Sequence, residues 1–221
     1  MDLLAGNLGE NTFFKASKQK PLKMHINDFD QNGKIEQVIS LFNGDKAFPV
    51  SQKKEITSQL PFLLKKYLKH HDYKEQTIND IFDYEELKGA IELDIKNCST
   101  SILWNIQTQK FSIEKLSSEA QLSPVYAILL NDFNNDDKVD IIIGGNQFRA
   151  KPQTGIYAGG QGIAYENRDN EIFRNLKSRE SGILIKDEIR DIKEIEVANK
   201  KHILISMNNN RLRCYSVINE N

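Results

Sequence analysis

Two short segments of this chain concentrate oxygen-bearing side chains in one repeating pattern. They are Asn27-Asp-Phe-Asp-Gln-Asn-Gly-Lys-Ile-Glu36 and Asn131-Asp-Phe-Asn-Asn-Asp-Asp-Lys-Val-Asp140. Counted from the residue after the shared Asn, each carries an oxygen donor at positions one, three, five and nine. In the first segment these are Asp28, Asp30, Asn32 and Glu36; in the second, Asp132, Asn134, Asp136 and Asp140. The chemistry this spacing serves is capture of a hard divalent cation. Calcium takes six to eight oxygens at about 2.3–2.6 Å, and a tight loop with an acceptor at every second residue can wrap one ion. The position-seven residues, Lys34 and Lys138, would add backbone carbonyls. Gly33 at position six permits a turn that a side chain resists. The second segment has Asp137 there, which accepts left-handed geometry less readily than Gly. Position eight is apolar in both (Ile35, Val139) and is expected to plug each loop into the core.

An EF-hand does not fit. That loop needs a bidentate Glu at position twelve and helices on both flanks. Position twelve is Ile39 in one segment and Ile143 in the other, and the flanks are rich in β-branched residues. Asp and Asn also populate ordinary polar turns. Against that reading stand the matched spacing, the shared Asn-Asp-Phe entry and the shared run into an apolar strand.

The elements that must position these loops are short strands. Leu22 to Asn27 alternates and Glu36 to Phe42 follows the first loop, so the two form a hairpin. Ala47 to Val50 is a third strand behind an Asn43-Gly44 turn. From Ser51 to about His71 the apolar residues recur at helical spacing (Ile56, Leu60, Leu63, Leu64, Tyr67, Leu68), with Ser51 as N-cap and Pro61 breaking the helix. A second helix is predicted from Thr77 to Phe82. Strands resume at Ala90–Ile95, Thr100–Ile106 and Lys110–Lys115. Pro124–Leu130 leads into the second loop and Val139–Gly144 leaves it. After a Gly-rich stretch (Gly155, Gly159, Gly160, Gly162), further strands are predicted at 162–165, 182–186, 192–197, 202–207 and 211–217, with Asn208-Asn-Asn210 as a turn. Many short strands with regular turn signals indicate a mainly β sandwich, barrel or propeller.

Composition narrows the classes. Hydrophobic residues make up 39% and charged residues 28%, the balance of a folded globular chain. Thirty basic and 31 acidic side chains leave a formal charge of −1, so no positive field gathers phosphates, and nucleic acid is not an expected partner. The basic cluster Lys65, Lys66, Lys69, His70 and His71, with Lys53 and Lys54, reads as a solvated helix face. Cys98 and Cys214 lie in no metal-ligand spacing; they read as free buried thiols, with one disulfide between them as the alternative. The N-terminus has no signal-peptide pattern and no stretch is long and apolar enough to span a membrane. Residues 2–6 read as the tail of a strand whose hairpin partner is missing, the mark of a C-terminal piece of a longer chain. His25, His70, His71 and His202 are scattered, with no HExxH and no GxSxG. Tyr126, Tyr157, Tyr165, Arg168 and Arg190 are candidates to line a sugar site, or else core and rim residues.

The loops resemble those of FG-GAP/VCBS repeat proteins, the calcium-loop β-propeller family that includes integrin α-subunit blades. The likeness extends to large surface proteins of Bacteroidetes-like bacteria, through Gly6-Asn-Leu-Gly9 with Phe14-Lys-Ala-Ser17, Pro21-Leu-Lys23, Gln59-Leu-Pro-Phe-Leu63, Ser123-Pro-Val-Tyr126, Arg179-Glu-Ser-Gly182 and Arg190-Asp191. The resemblance implies a single propeller-like region over 1–221, an incomplete ring of antiparallel blades with a helical insertion at about 51–83. It implies two structural calcium ions held by the residues named above, an extracytoplasmic setting, and a non-catalytic role as scaffold or in protein or glycan binding. A propeller domain of a calcium-dependent polysaccharide lyase is the alternative. Asp137 in place of Gly and the helical segment depart from the family pattern. The spacing of the loops is about two blade lengths, which implies an intervening blade without a loop.

Overall fold

The computed structural model describes residues 1–108, 110–168 and 172–217. In chain order the strands are β1 (Leu3–Ala5), β2 (Leu22–Asn27), β3 (Glu36–Asn43), β4 (Lys46–Pro49), β5 (Ile91–Ile95), β6 (Ser101–Gln107), β7 (Lys110–Lys115), β8 (Val125–Asn131), β9 (Asp140–Gly145), β10 (Ile163–Arg168), β11 (Ile172–Leu176), β12 (Ile189–Val197), β13 (Lys200–Met207) and β14 (Arg213–Ser216). The helices are α1 (Lys53–Gln59), α2 (Leu63–Lys66), α3 (His70–Tyr73), α4 (Ile78–Ile81), α5 (Tyr84–Lys88) and α6 (Ser178–Ser181). The fold is mainly β, as expected, with four antiparallel sheets and no closed barrel among the described residues. The chain divides into two compact units. One is Phe14–Cys98; the other joins Met1–Phe13 to Ser99–Asn221.

In the unit Phe14–Cys98, the sheet runs β4-β3-β2-β5. The helical segment does not project from it. Ile56, Leu60, Leu63, Tyr67, Tyr73, Ile78, Ile81 and Phe82 pack with Phe29 and Val38 into one core. The short helices therefore supply most of this unit's buried apolar surface. Gln52, not Ser51, precedes α1 as its cap residue. The break at Pro61 falls between α1 and α2 as expected. Thr77 precedes α4, and the Asp80 carboxylate accepts from both its N–H (2.8 Å) and its hydroxyl (2.6 Å). The helices run on to Lys88 because Asp83 and Glu86 form a reciprocal cap: Glu86 N–H donates to Asp83 at 2.8 Å and Asp83 N–H to Glu86 at 2.7 Å. The basic cluster on α2 and α3 is exposed, as its helix-face reading requires.

The other unit stacks three sheets, β1-β6-β7, then β11-β10-β9-β8, then β12-β13-β14. The middle sheet is covered on both faces, and the alternation along its central strand explains how. Ile141 and Ile143 of β9 pack with Ile102, Leu116 and Tyr165, while Ile142 packs with Ile189, Ile192, Ile203 and Ile205. Every residue of β9 is buried, which is why Ile141, Ile142 and Ile143 run unbroken after Asp140. Gly144 is required by this stacking: a Cβ there would stand 2.4 Å from the Ile189 side chain.

Strand β1 pairs antiparallel with β6, Leu4 opposite Ile102, a pairing too distant in sequence to be read locally. Two sequence expectations change. Residues 182–186 form no strand, although Ile183 and Ile185 are buried; their apolar character reflects packing onto β12 and β13, not sheet pairing. Neither cysteine forms a disulfide; Cys98 is buried, as expected, whereas Cys214 is exposed. Among the described residues, no helix is long and apolar enough to cross a membrane.

Candidate metal centres

Each acidic segment spans the turn between the first two strands of an antiparallel meander, β2–β3–β4 in one unit and β8–β9–β10 in the other. The closing pairs correspond: Asn27 stands opposite Glu36, and Asn131 opposite Asp140.

Within the loops the hydrogen bonds repeat position by position. The position-one carboxylate accepts from the amides of positions five and six. Asn32 N–H reaches Asp28 at 2.9 Å and Gly33 N–H at 2.8 Å; Asp136 N–H reaches Asp132 at 3.2 Å and Asp137 N–H at 2.9 Å. The position-three oxygen also accepts the position-five amide, Asn32 to Asp30 at 3.3 Å and Asp136 to Asn134 at 3.1 Å. The position-five oxygen accepts the position-seven amide, Lys34 to Asn32 at 2.8 Å and Lys138 to Asp136 at 3.0 Å. The position-nine carboxylate accepts the position-two amide, Phe29 to Glu36 at 3.0 Å and Phe133 to Asp140 at 3.2 Å. Backbone strain repeats as well. Positions four and six take positive φ in both loops, Gln31 at 57° and Gly33 at 85°, Asn135 at 60° and Asp137 at 63°.

Each loop is thus held open around its own carboxylates, and each ionised oxygen keeps a further lone pair for a cation. In the first loop one oxygen each from Asp28, Asp30 and Glu36 lies within 4.8 Å of the others. No second trio of His, Cys, Asp or Glu gathers this closely among the described residues. In the second loop Asn134 replaces the position-three carboxylate, so its donor set carries amide oxygen there. Glu36 and Asp140 are buried, at 6% and 5% exposure. Burial raises the pKa of Asp140, and the nearby Asp136 and Asp132 raise it further, against the lowering donors Asn167 and Phe133. Burial also presses upward on Asp132, but amides from Asp137, Asp136, Asn135 and Asn134 outweigh it and hold that carboxyl low. Gathered anions of this kind suit a calcium-sized cation in donor type and spacing.

Position eight is not the plug. Ile35 is 66% exposed and Val139 52%. The anchor is position two: Phe29 is buried and stacks on Phe82 with ring centroids 4.1 Å apart, and Phe133 packs against the core of the other unit. The shared Asn-Asp-Phe entry held that signal, since an aromatic residue in a polar turn needs a place to bury.

The candidate sugar residues do not converge. Tyr165 and Tyr157 are buried, their hydroxyls against Ser117 and Thr12. Arg168 pairs with Glu166 at 3.0 Å. Only Tyr126 and Arg190 meet, the guanidinium 4.6 Å from the ring centroid. One constellation escaped sequence reading: His25 Nε2 lies 3.2 Å from Ser40 Oγ, and its Nδ1 lies 3.7 Å from Glu92. Residue types alone resemble a nucleophile, base and acid. Ser40, however, sits mid-strand at 1% exposure, where no substrate carbonyl can reach its hydroxyl.

Comparison of the chain with family models, with curated proteins and with solved structures finds no match.

Proposed function

We propose that this chain is a calcium-binding repeat module of the FG-GAP/VCBS type, belonging to an exported or cell-surface protein and acting as a scaffold or in protein or glycan binding. The observation that carries this reading is the position-by-position agreement of the two loops in donor type, hydrogen bonding and positive φ. Asp28, Asp30, Asn32 and Glu36 would hold one ion, and Asp132, Asn134, Asp136 and Asp140 a second, each joined by the position-seven carbonyl of Lys34 or Lys138. The ions would be structural. Each would neutralise the carboxylates gathered in its loop and tie the two strands of a hairpin together, so that binding stabilises the folded state. Loops with few carboxylates bind calcium in the range of extracellular modules, which supports an extracytoplasmic setting for the working protein.

Calorimetric titration of the metal-free protein with calcium tests the reading. Two sites are expected, one of which disappears in Asp28→Ala and the other in Asp132→Ala. A titration without heat or stoichiometry in the folded protein would show the loops to be hydrogen-bonded turns only.

A further inference from the structure

Ile102, Ile141 and Tyr165 are buried where the sheets β1-β6-β7 and β11-β10-β9-β8 pack together. Beside the second acidic loop a cleft of about 460 Å³ opens, lined by Trp104, Phe173, Leu130, Val139, Asp2 and Asn167 among others. A neighbouring space of about 480 Å³ shares Trp104 and Phe173. The cleft is of ligand size. It also accounts for Val139: the position-eight residue is exposed because it forms a wall of this opening.

The lining has two components. One is a broad apolar wall. The Trp104 and Phe173 rings stack at 6.4 Å and 21°, with Leu130 and Val139 each about half exposed nearby. Trp104 is held in place by its Nε1–H, which donates to Glu114 at 2.6 Å. The other component is a set of acceptors. Asp2 has a carboxylate here, one of whose oxygens takes the Asn105 amide at 2.8 Å. The Oδ1 of Asn167 is buried and has no hydrogen-bond partner among the described residues, a state that costs free energy until a donor arrives. Acidic and basic groups alternate along the lining, Asp137 beside Lys138 and Glu114 beside Lys115, so the cleft carries no strong field of either sign.

We propose that this cleft binds a neutral glycan, with a pyranose ring laid against the Trp104–Phe173 wall and ring hydroxyls donating to Asn167 and Asp2. A pyranose offers what the lining asks for: a flat face of C–H groups for the aromatic rings, and hydroxyl donors at its edge for buried acceptors. A cationic peptide side chain would meet Lys138 and Lys115, and a purely aliphatic ligand would leave Asn167 unsatisfied. Asp137 and Val139 belong to the acidic loop, so the order of that loop sets one wall of the cleft. The inference deepens the calcium-module reading and rests on it for that wall.

Trp104 is the chain's single tryptophan, so its emission reports this cleft alone. The protein is titrated in calcium buffer with cellohexaose, laminarihexaose and mannohexaose, and separately with tetralysine, while calcium-dependent melting is recorded on the same samples. A saturable emission change with at least one saccharide is expected. By calorimetry, binding should be lost in Trp104→Ala, partly kept in Trp104→Phe, and weakened at least about tenfold in Asn167→Ala. Calcium-dependent melting of the variants matching wild type confirms that they fold. Stabilisation by calcium with no response to any saccharide overturns the glycan cleft and leaves the calcium reading standing. Saccharide binding undiminished in Trp104→Ala, or a response to tetralysine alone, also overturns it. Saccharide binding at Trp104 in a protein indifferent to calcium supports the cleft and removes the calcium reading.

Discussion

The backbone N–H of Phe29 donates to a carboxylate oxygen of Glu36 at 3.0 Å. That bond joins the residue that anchors the first loop in its core to the residue that completes the loop's donor set. Core packing is therefore coupled to the position of the Glu36 carboxylate. Phe133 and Asp140 repeat the arrangement in the second loop at 3.2 Å.

The anchor predicts a contrast within one loop. Phe29→Ala removes a buried ring stacked on Phe82 and should cost about 3–5 kcal/mol in denaturant unfolding. Ile35→Ser, at the exposed position eight, should stay within about 0.5 kcal/mol of wild type. Equal losses from the two substitutions would return position eight to the role the sequence pattern assigned it.

That reversal shows where sequence reading ended. The matched acceptors at positions one, three, five and nine were legible because the pattern depends on spacing alone. The hairpins were legible from alternation. The choice between Phe and Ile as plug was not, since both are apolar and only tertiary context decides which is covered. The β1–β6 pairing was hidden for a similar reason: strand pairing across distant sequence leaves no local mark. Strand β11 was missed because Ile172-Phe-Arg-Asn-Leu176 mixes polar and apolar residues with no clean period. The helical segment was seen, but periodicity could not reveal that its apolar face builds the core over Phe29 and Val38.

Position six predicts opposite effects in the two loops. Gly33 has φ of 85° with open space around a would-be Cβ, so Gly33→Ala acts through backbone strain alone. It should destabilise the metal-free protein by about 1 kcal/mol. Asp137→Gly relieves a side chain at φ of 63° and should be neutral or stabilising by up to about 1 kcal/mol. Paired chemical denaturation curves in chelator read both; destabilisation by Asp137→Gly would mean that its side chain holds the loop.

His25 predicts an acid-side loss of stability. Burial lowers its pKa below 6.5; Glu92 and Asp94 act to raise it, and Lys23 to lower it. A depressed folded-state pKa means that the neutral ring is favoured in the fold. The contribution is therefore present above pH 6.5 and is lost as pH falls through that value and the lower folded pKa. Melting temperature measured in chelator from mildly alkaline to mildly acidic pH should fall more steeply for wild type than for His25→Gln. Parallel curves would exclude His25 as the source.

Asp140→Asn alters both charge and hydrogen bonding. Phe133 and Asn167 N–H donate to different oxygens of Asp140, so the amide keeps an acceptor for one of them and turns its NH2 toward the other, while it removes a buried anion that Asp132 and Asp136 repel. In calcium the second site should be weakened, and in chelator the lost acceptor should lower the melting temperature. An unchanged or higher melting temperature in chelator would mean that relief of the repulsion outweighs the lost hydrogen bond.

The most direct test of the central claim is thermal unfolding with added calcium and with chelator, on wild type and on the double variant Asp28→Ala, Asp132→Ala. A calcium-dependent rise in melting temperature of wild type, absent from the double variant, is the predicted result. A folded wild type whose melting temperature is the same in calcium and in chelator would contradict it, and the two loops would then be turns whose carboxylates serve only their own backbone.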